Sequence, residues 1–358
     1  MSSTVNQAPV LIMAGGTGGH IFPGLAVAAA LRARNVPVAW LGSQQGLETR
    51  LVAAAGIALS TIAVSGLRGH GGLALLTAPL KVLRAVVQAV AVLRRVKPRA
   101  AISFGGYAAG PGGIAAWLLR CPLLVHEQNR IPGLTNRVLA RLAKRVLVGF
   151  PDAMPAAEWV GNPVRNEIAQ LPVPGLRLAA RSGSLRLLVM GGSQGARALN
   201  MAVPKALKGM AKMEVRHQCG ERLAESARAA YAQAGVEVSL EPFIQRMDEA
   251  YGWADLVICR AGALTVAELA AAGVAALLVP FPHAVDDHQT HNAQWLVAAG
   301  AAECITEGPA LAEQLQQRLL ALTADRAGLL RMAEAARACA KTDAAEQVAI
   351  ACLAEARA

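Results

Sequence analysis

The sequence predicts an α/β protein built from two Rossmann-like domains, and three observations carry that prediction. At 358 residues with 54% hydrophobic content, the chain is long enough to bury two cores rather than one. Short apolar runs alternate with longer Ala- and Leu-rich segments, the pattern of repeated β-α units around parallel sheets. The two halves also open alike, with VLIMAGGTGGHIFPGLAVA at Val10 to Ala28 and RLLVMGGSQGARALNMAV at Arg186 to Val203.

In the first half the apolar runs predict strands at Val10 to Ala14, Val38 to Leu41, Ala100 to Ser103, Leu123 to His126 and Arg145 to Val148. A passage carrying Pro155, Pro163, Pro172 and Pro174 follows and marks the expected boundary. The pattern then restarts with Leu185 to Met190, Glu214 to His217, Val236 to Leu240, Leu256 to Cys259 and Ala276 to Pro280. Each half opens with a hydrophobic strand, a double glycine, a hydroxyl residue, another glycine and a helix. Glycines let the chain bend sharply and let backbone N–H groups approach a ligand, while the helix N-terminus favours phosphate. An anion cradle is therefore expected in each half, against the plainer reading of a tight strand-to-helix turn.

A dehydrogenase fingerprint is not met. Counting from Gly16, the third glycine position is Ile21, and the second strand ends Ala39-Trp40-Leu41-Gly42 without Asp or Glu; the pattern from Gly192 fails as well. There is no G-x-x-x-x-G-K-[ST] phosphate loop and no Asp-x-Asp metal motif. The six cysteines, Cys121, Cys219, Cys259, Cys304, Cys339 and Cys352, are isolated, so they read as reduced core residues of a cytosolic protein. No cofactor and no metal is expected. A diphosphate leaving group would then be stabilised by backbone, helix dipole and side chains.

Charge is divided unevenly. From Met1 to Phe150 there are 16 Lys and Arg against two acids, Glu48 and Glu127, a net of +14, whereas the whole chain carries +11. A basic half suggests a domain facing nucleic acid, anionic lipid or a phosphorylated acceptor, against a generally basic solvated surface. Met1 to Pro9 carry neither a basic n-region nor an apolar core, so no secretory signal is expected. Lys81 and Arg84 interrupt the most hydrophobic stretch, Gly71 to Val96, and a transmembrane span is not expected there. Within it, Leu73, Leu76, Leu80 and Leu83 recur at helical spacing, and Leu75, Val82 and Val86 form a second apolar row, more than one buried face needs. One row is expected to meet lipid, with Lys81, Arg84, Arg141 and Lys144 attracting anionic headgroups.

The densest chemistry lies in CRAGALTVAELAAAGVAALLVPFPHAVDDHQTHNA, Cys259 to Ala293. Gly262 closes a turn after a buried strand, and a helix starting near Leu264 would offer the backbone N–H groups of Ala263 to Val266 to a diphosphate. Glu268 lies one turn farther on the same face, where its carboxylate could accept from both ribose hydroxyls; otherwise it is a solvated helix glutamate. Asp286, Asp287, His288, Gln289 and Asn292 then form a polar loop entering a helix, a set suited to sugar hydroxyls.

The ordered motifs AGGTGGHIFPGLAVA (Ala14 to Ala28), SFGGYAAGPGG (Ser103 to Gly113), HEQNRIPGLTNR (His126 to Arg137), GNPVR (Gly161 to Arg165), MGGSQGARALN (Met190 to Asn200) and RAGALTVAEL (Arg260 to Leu269) resemble those of the MurG family. Its members use UDP-GlcNAc to glycosylate undecaprenyl-pyrophosphoryl-MurNAc-pentapeptide, and the likeness spans nearly the whole chain. The resemblance implies a GT-B architecture, two Rossmann-like domains with parallel sheets facing across a cleft. An acceptor domain would cover 1–162, with a C-terminal helix at about 342–358 packing back onto it, and a donor domain 163–341. It further implies donor contacts at Ser193, at the Ile244 backbone for uracil, at Ala263, Leu264, Thr265, Val266, Ala267 and Glu268 for diphosphate and ribose, at Gln289 for the sugar, and at Arg165 near the hinge. Thr17, Gly18, Gly19, His20 and Asn129 would face them. The family often has paired glutamines where this chain has His288-Gln289, so only Gln289 is carried over.

The expected chemistry is attack by the MurNAc 4-hydroxyl on the anomeric carbon of an α-linked donor, with inversion. His20 is the leading general base, since imidazoles titrate near neutral pH; its rival roles are a donor to phosphate or a structural histidine. Glu127 is the second candidate base, with an ion-pair role as its alternative. Two other readings are open: a UDP-GlcNAc 2-epimerase, which has no lipid acceptor, and a non-enzymatic basic protein of membrane surface or nucleic acid. The basic half and the Gly71 to Val96 segment argue against the first, and the donor motifs against the second. The expected partners are UDP-GlcNAc, the undecaprenyl-pyrophosphoryl acceptor and an anionic membrane surface, not nucleic acid, at the cytoplasmic face of the bacterial inner membrane.

Overall fold

A five-residue apolar run such as VLIMA has no polar face to give to water, so it is stable as a strand only with neighbours on both sides and packing on both faces. The computed structural model describes residues 8–64, 72–179, 181–192, 195–210 and 213–357, without the side chains of residues 72–78 and 285. In it Val10–Ala14 is fully buried as strand β1, followed by β2 (Val38–Ser43), β3 (Ala58–Ile62), β4 (Ala100–Gly105), β5 (Leu123–Glu127), β6 (Arg145–Val148) and β7 (Glu158–Trp159). These pair in parallel in the order β3-β2-β1-β4-β5-β6-β7. The second sheet holds β8 (Arg186–Met190), β9 (Glu214–Gln218), β10 (Ser239–Glu241), β11 (Leu256–Cys259), β12 (Ala275–Leu278) and β13 (Ala302–Cys304), ordered β10-β9-β8-β11-β12-β13 and again parallel.

Each sheet reverses its strand order once, between β1 and β4 and between β8 and β11. At such a point the loops leaving the carboxyl ends of the two strands run in opposite directions, opening a crevice for a ligand. The glycine turns after β1 and β8, and the Arg260-Ala261-Gly262 turn after β11, all lie there.

The chain divides into a unit of Met1–Arg165 with Asp343–Ala358 and a unit of Asn166–Thr342. The first unit's sheet is packed on both faces. On one face the helix Ala344–Ala354 contributes Val348, Ala349, Ala351 and Cys352 beside Val27 and Leu31, and Arg34 pairs with Glu346. The second unit's core gathers Leu187, Val189, Leu199, Ile258, Leu277 and Leu315.

The structure adds β3, β7 and β13 to the strands expected. It also moves Val236 to Leu240 onto Ser239–Glu241, and the run from Ala276 to Pro280 onto Ala275–Leu278. Cys304 is exposed and Cys339 half-buried, contrary to the reading of all six cysteines as core. The other four are buried, and desolvation pushes the Cys121 thiol up to about 11. The helix Gly72–Val96 buries Ala85, Val86, Ala89, Val92 and Leu93 and leaves Leu80, Leu83 and Val87 exposed. Val86, in the second apolar row, is therefore core, while Val82 of that row is exposed and the side chains of Leu73, Leu75 and Leu76 lie outside the described residues. Among the described residues no helix is long and apolar enough to cross a membrane.

Candidate active site

In the first unit the turn after β1 leads into the helix Gly18–Ala33, with Thr17 at its N-cap and His20 in its first turn. Thr17 and Gly19 are exposed, Gly18 and His20 half-buried, and the His20 N–H donates to the Thr17 carbonyl at 3.1 Å. Helix geometry thus aims the imidazole toward the loops after β4 and β5. Gly105, at φ +97°, makes room for it, since a Cβ there would lie 3.2 Å from His20 Cε1. Gly106, at φ +90°, lets the loop after β4 close on the Gly15 carbonyl, which a side chain would strike.

The His20 ring meets the loop after β5, where its Nδ1 lies 3.0 Å from Gln128 Oε1. Behind it His126 and Gln128 are buried, with Gln128 Nε2 donating to the His126 carbonyl at 2.8 Å and lying 3.1 Å from His126 Nδ1. His126 Nε2 lies 2.9 Å from the Gly161 carbonyl. Desolvation lowers the His126 pKa to about 4, so this ring is neutral at physiological pH.

Glu127 is also buried, and its two oxygens hold the loop together. Oε1 accepts from the Asn129 N–H at 2.9 Å and Nδ2 at 3.3 Å; Oε2 accepts from the Gly133 N–H at 3.1 Å and Asn136 Nδ2 at 3.0 Å. The chemistry available to this carboxylate is that of a loop organiser, and Asn129 is one of the groups it holds. Arg165 stacks its guanidinium over the Phe22 ring, 5.4 Å from the centroid.

In the second unit Gly262 caps the helix Ala263–Ala272 with extended backbone angles. The N–H groups of Ala263, Leu264 and Thr265 have no partner within the helix, but that of Val266 donates to the Gly262 carbonyl at 2.9 Å. The expected four-donor cradle is therefore one of three. At the far end, Arg177 donates to the carbonyls of Ala272 at 2.8 Å and Gly273 at 2.6 Å, and Arg337 donates to that of Ala271. Cations there complement the helix dipole that makes the N-terminus attractive to phosphate.

Glu268 is only 5% exposed and accepts from the Tyr251 hydroxyl at 3.1 Å, which removes the solvated-glutamate reading. Gln289 Oε1 accepts from the N–H groups of Ala261 at 3.2 Å and Phe281 at 2.9 Å. Its amide is thereby oriented, with Nε2 as the remaining donor end. Arg260 steadies the same loop, donating to the Val279 carbonyl at 3.1 Å and pairing with Glu307 at 2.5 Å. Ile244 is buried, and Ser193 lies outside the described residues.

Two further side chains, unremarked as site residues in the sequence, shape the glycine turns. Glu48, fully buried, accepts from the Gly16 N–H at 3.2 Å and from the Ser43 N–H at 2.8 Å. Gln218 accepts from the Gly192 N–H at 3.0 Å and donates to the Gly192 carbonyl at 3.0 Å. In both turns the N–H of the second glycine is thus used by the protein itself, which corrects the picture of two open cradles. The one available signal for Glu48 was its rarity as an acid in a basic half.

The chain matches the glycosyltransferase family 28 N-terminal domain over residues 10–148 and the glycosyltransferase family 28 C-terminal domain over residues 186–348. It is similar to the UDP-N-acetylglucosamine–N-acetylmuramyl-(pentapeptide) pyrophosphoryl-undecaprenol N-acetylglucosamine transferase of Xylella fastidiosa (strain M12), 60% identical over 352 residues, covering 97% of this chain and 96% of that one. The protein of the same name from Xanthomonas campestris pv. campestris (strain 8004) is 62% identical over 343 residues, covering 95% and 80%. The crystal structure of Acinetobacter baumannii MurG superposes with a TM-score of 0.84 at 41% identity, covering 97% of this chain and 100% of that one.

Proposed function

The chain belongs to glycosyltransferase family 28, among the pyrophosphoryl-undecaprenol N-acetylglucosamine transferases, and on that premise we propose a reaction and a cast of residues for it. It transfers N-acetylglucosamine from UDP-GlcNAc to the 4-hydroxyl of MurNAc in undecaprenyl-pyrophosphoryl-MurNAc-pentapeptide, with inversion, in peptidoglycan synthesis. The near-full-length match to transferases of that name carries the reading.

His20 acts as the base. Its Nε2 takes the proton of the acceptor hydroxyl as the new O4–C1 bond forms, and UDP departs with the electrons of the old C1–O bond. The N–H groups of Ala263, Leu264 and Thr265 and the dipole of their helix receive the diphosphate charge. Val266 and Ala267 shape that turn, Glu268 takes the ribose hydroxyls, Gln289 Nε2 a sugar hydroxyl, and the Ile244 backbone and Ser193 the nucleoside. Thr17, Gly18, Gly19 and Asn129 border the acceptor, Arg165 sits by the domain junction, and Glu127 holds the loop that carries Asn129. Residues 1–162 with the terminal helix are the acceptor domain and 163–341 the donor domain.

The acceptor is a lipid, so the enzyme works at a membrane, and we assign it to the cytoplasmic face of the inner membrane. Both acids between Met1 and Phe150, Glu48 and Glu127, are buried, which leaves only basic charge at the described surface of that stretch. Exposed Leu80, Leu83 and Val87 on one helix and Trp117 and Leu118 on the neighbouring Ala109–Leu118 helix supply apolar anchors, interspersed with exposed Lys81 and Arg84. That pairing of apolar and basic groups suits an anionic bilayer rather than nucleic acid.

The test is UDP release from a panel of sugar nucleotides, with and without a polyprenyl-pyrophosphoryl-MurNAc-peptide analogue. Release from UDP-GlcNAc that requires the analogue supports the reading. Acceptor-independent conversion of UDP-GlcNAc to its 2-epimer would replace it.

A further inference from the structure

Three groups behind His20 form a chain whose proton positions are fixed by its ends. A carbonyl oxygen only accepts, so the Gly161 carbonyl, 2.9 Å from His126 Nε2, requires the proton of His126 to sit on Nε2. The neutral ring then presents a lone pair at Nδ1. A second carbonyl, that of His126 itself, lies 2.8 Å from one terminal atom of the Gln128 amide, and that atom must be the NH2. Its two hydrogens serve the His126 carbonyl and, at 3.1 Å, the His126 Nδ1 lone pair. Two independent anchors thus give the amide one direction, and the opposite flip would set oxygen against both a carbonyl and a lone pair. With Nε2 turned inward, Gln128 Oε1 faces His20 Nδ1 at 3.0 Å and can only accept. His20 therefore donates from Nδ1 and carries its lone pair on Nε2.

We propose that Gln128 and His126 are positioning residues that hold His20 in the Nδ1–H tautomer, so that Nε2 is the nitrogen that accepts the acceptor's proton. The proposal rests on the assignment of His20 as base. Burial of Gln128 at 1% exposure and His126 at 0% keeps water from competing for these bonds, while His20 itself is half-buried. The device needs no charge. A carboxylate in place of the Gln128 amide would face the same carbonyl and lone pair with no proton to offer. An amide is the neutral group able to donate inward and accept outward at once. Asn162 Nδ2 donates to the Gln128 carbonyl at 2.9 Å and Asn136 Nδ2 to the His126 carbonyl at 3.1 Å, fixing the backbone on which the relay is mounted.

The experiment is nitrogen NMR of the full chain labelled at its seven histidines, with His20→Gln and His126→Phe used to assign the two rings. The expected spectrum at pH 8 has His20 protonated at Nδ1 and His126 at Nε2. Gln128→Met, similar in length but unable to donate, should leave His20 as a mixture of tautomers. Its kcat should fall about tenfold or more as the competent fraction shrinks and the ring loses its anchor, with the KM for UDP-GlcNAc held within about twofold. His126→Phe keeps the backbone carbonyl anchor and should lose less. The proposal is overturned if His20 in the unsubstituted enzyme is protonated at Nε2, or if Gln128→Met keeps both the Nδ1–H signature and full kcat. The wild-type spectrum decides even where a variant fails to fold. An Nδ1–H signature together with nearly full activity of His20→Ala would leave the relay standing and remove the base assignment alone.

Discussion

His20 and Glu127 show how alike two candidate bases can look in sequence and how differently they are used. Glu127 accepts three hydrogen bonds from its own loop and a fourth from Asn136 on the helix that follows, whereas His20 keeps one ring nitrogen uncommitted to Gln128. His20→Ala should lower kcat by about 10²- to 10⁴-fold with UDP affinity nearly unchanged, and the acidic limb of the kcat profile should vanish with it. Retention of that limb with only a few-fold loss would return the base to an unidentified group. Glu268→Ala should raise the donor KM about 10- to 100-fold, through loss of about 1.5–3 kcal/mol of charged hydrogen bonding to the ribose. Because Glu268 also receives the Tyr251 hydroxyl, Tyr251→Phe is the control. Equal KM changes in the two variants would mean that the carboxylate matters for packing and not for the donor.

Among the elements, the helix Gly72–Val96 has an inner face of Ala85, Ala89, Val92 and Leu93 and an outer one with Leu80 at 71% and Val87 at 60% exposure. A helix needs one apolar stripe to pack, so the outer residues form a surplus that water does not favour. Leu80→Gln with Leu83→Gln and Val87→Gln should weaken co-sedimentation with anionic vesicles at least tenfold, since each side chain is worth about 1.5 kcal/mol or more when buried. Lys81→Gln should cost about 1 kcal/mol and steepen with falling salt. Binding indifferent to both salt and lipid charge would rule out the electrostatic part. Leu80, Leu83 and Val86 were legible as apolar; which of them faced the core was not, because an aliphatic side chain is equally apolar in either place.

For the molecule as a whole, one buried histidine in each unit contributes to acid sensitivity. Desolvation lowers His126 to about 4 and His217 to about 3, below the usual 6.5 of an unfolded histidine. Between those values the unfolded chain binds protons that the folded chain excludes, so stability falls as the pH drops through that window. From pH 7 to pH 5 each histidine should cost about 2 kcal/mol. Native-state amide exchange, read separately in each unit, tests this. His217→Phe, which keeps an aromatic ring edge-on to Tyr231, should flatten the loss in the second unit and leave that of the first. Parallel losses in both units of the variant would place the acid sensitivity elsewhere.

Local pattern determined a good deal: nine of the strand positions lie within a residue or two of the expected runs, most of them because a strand buried on both faces must be apolar throughout. The paired glycine openings, the turn at Gly262 and the family likeness were also legible, being contiguous strings of residues. β3 was missed because its ALSTI sequence is half-exposed, and β7 because two residues carry no period. What the tertiary structure alone decided is which polar groups meet. Gln128 reaches His20 across 108 residues, and Glu48 reaches Gly16 across 32. The first meeting depends on β4 lying beside β1 with β5 beyond, and the second on β2 lying along the other side of β1, and strand order leaves no trace in the hydrophobic period of any one strand. A hydrogen bond needs its donor and acceptor within a few tenths of an ångström, and only the assembled sheet sets positions that finely.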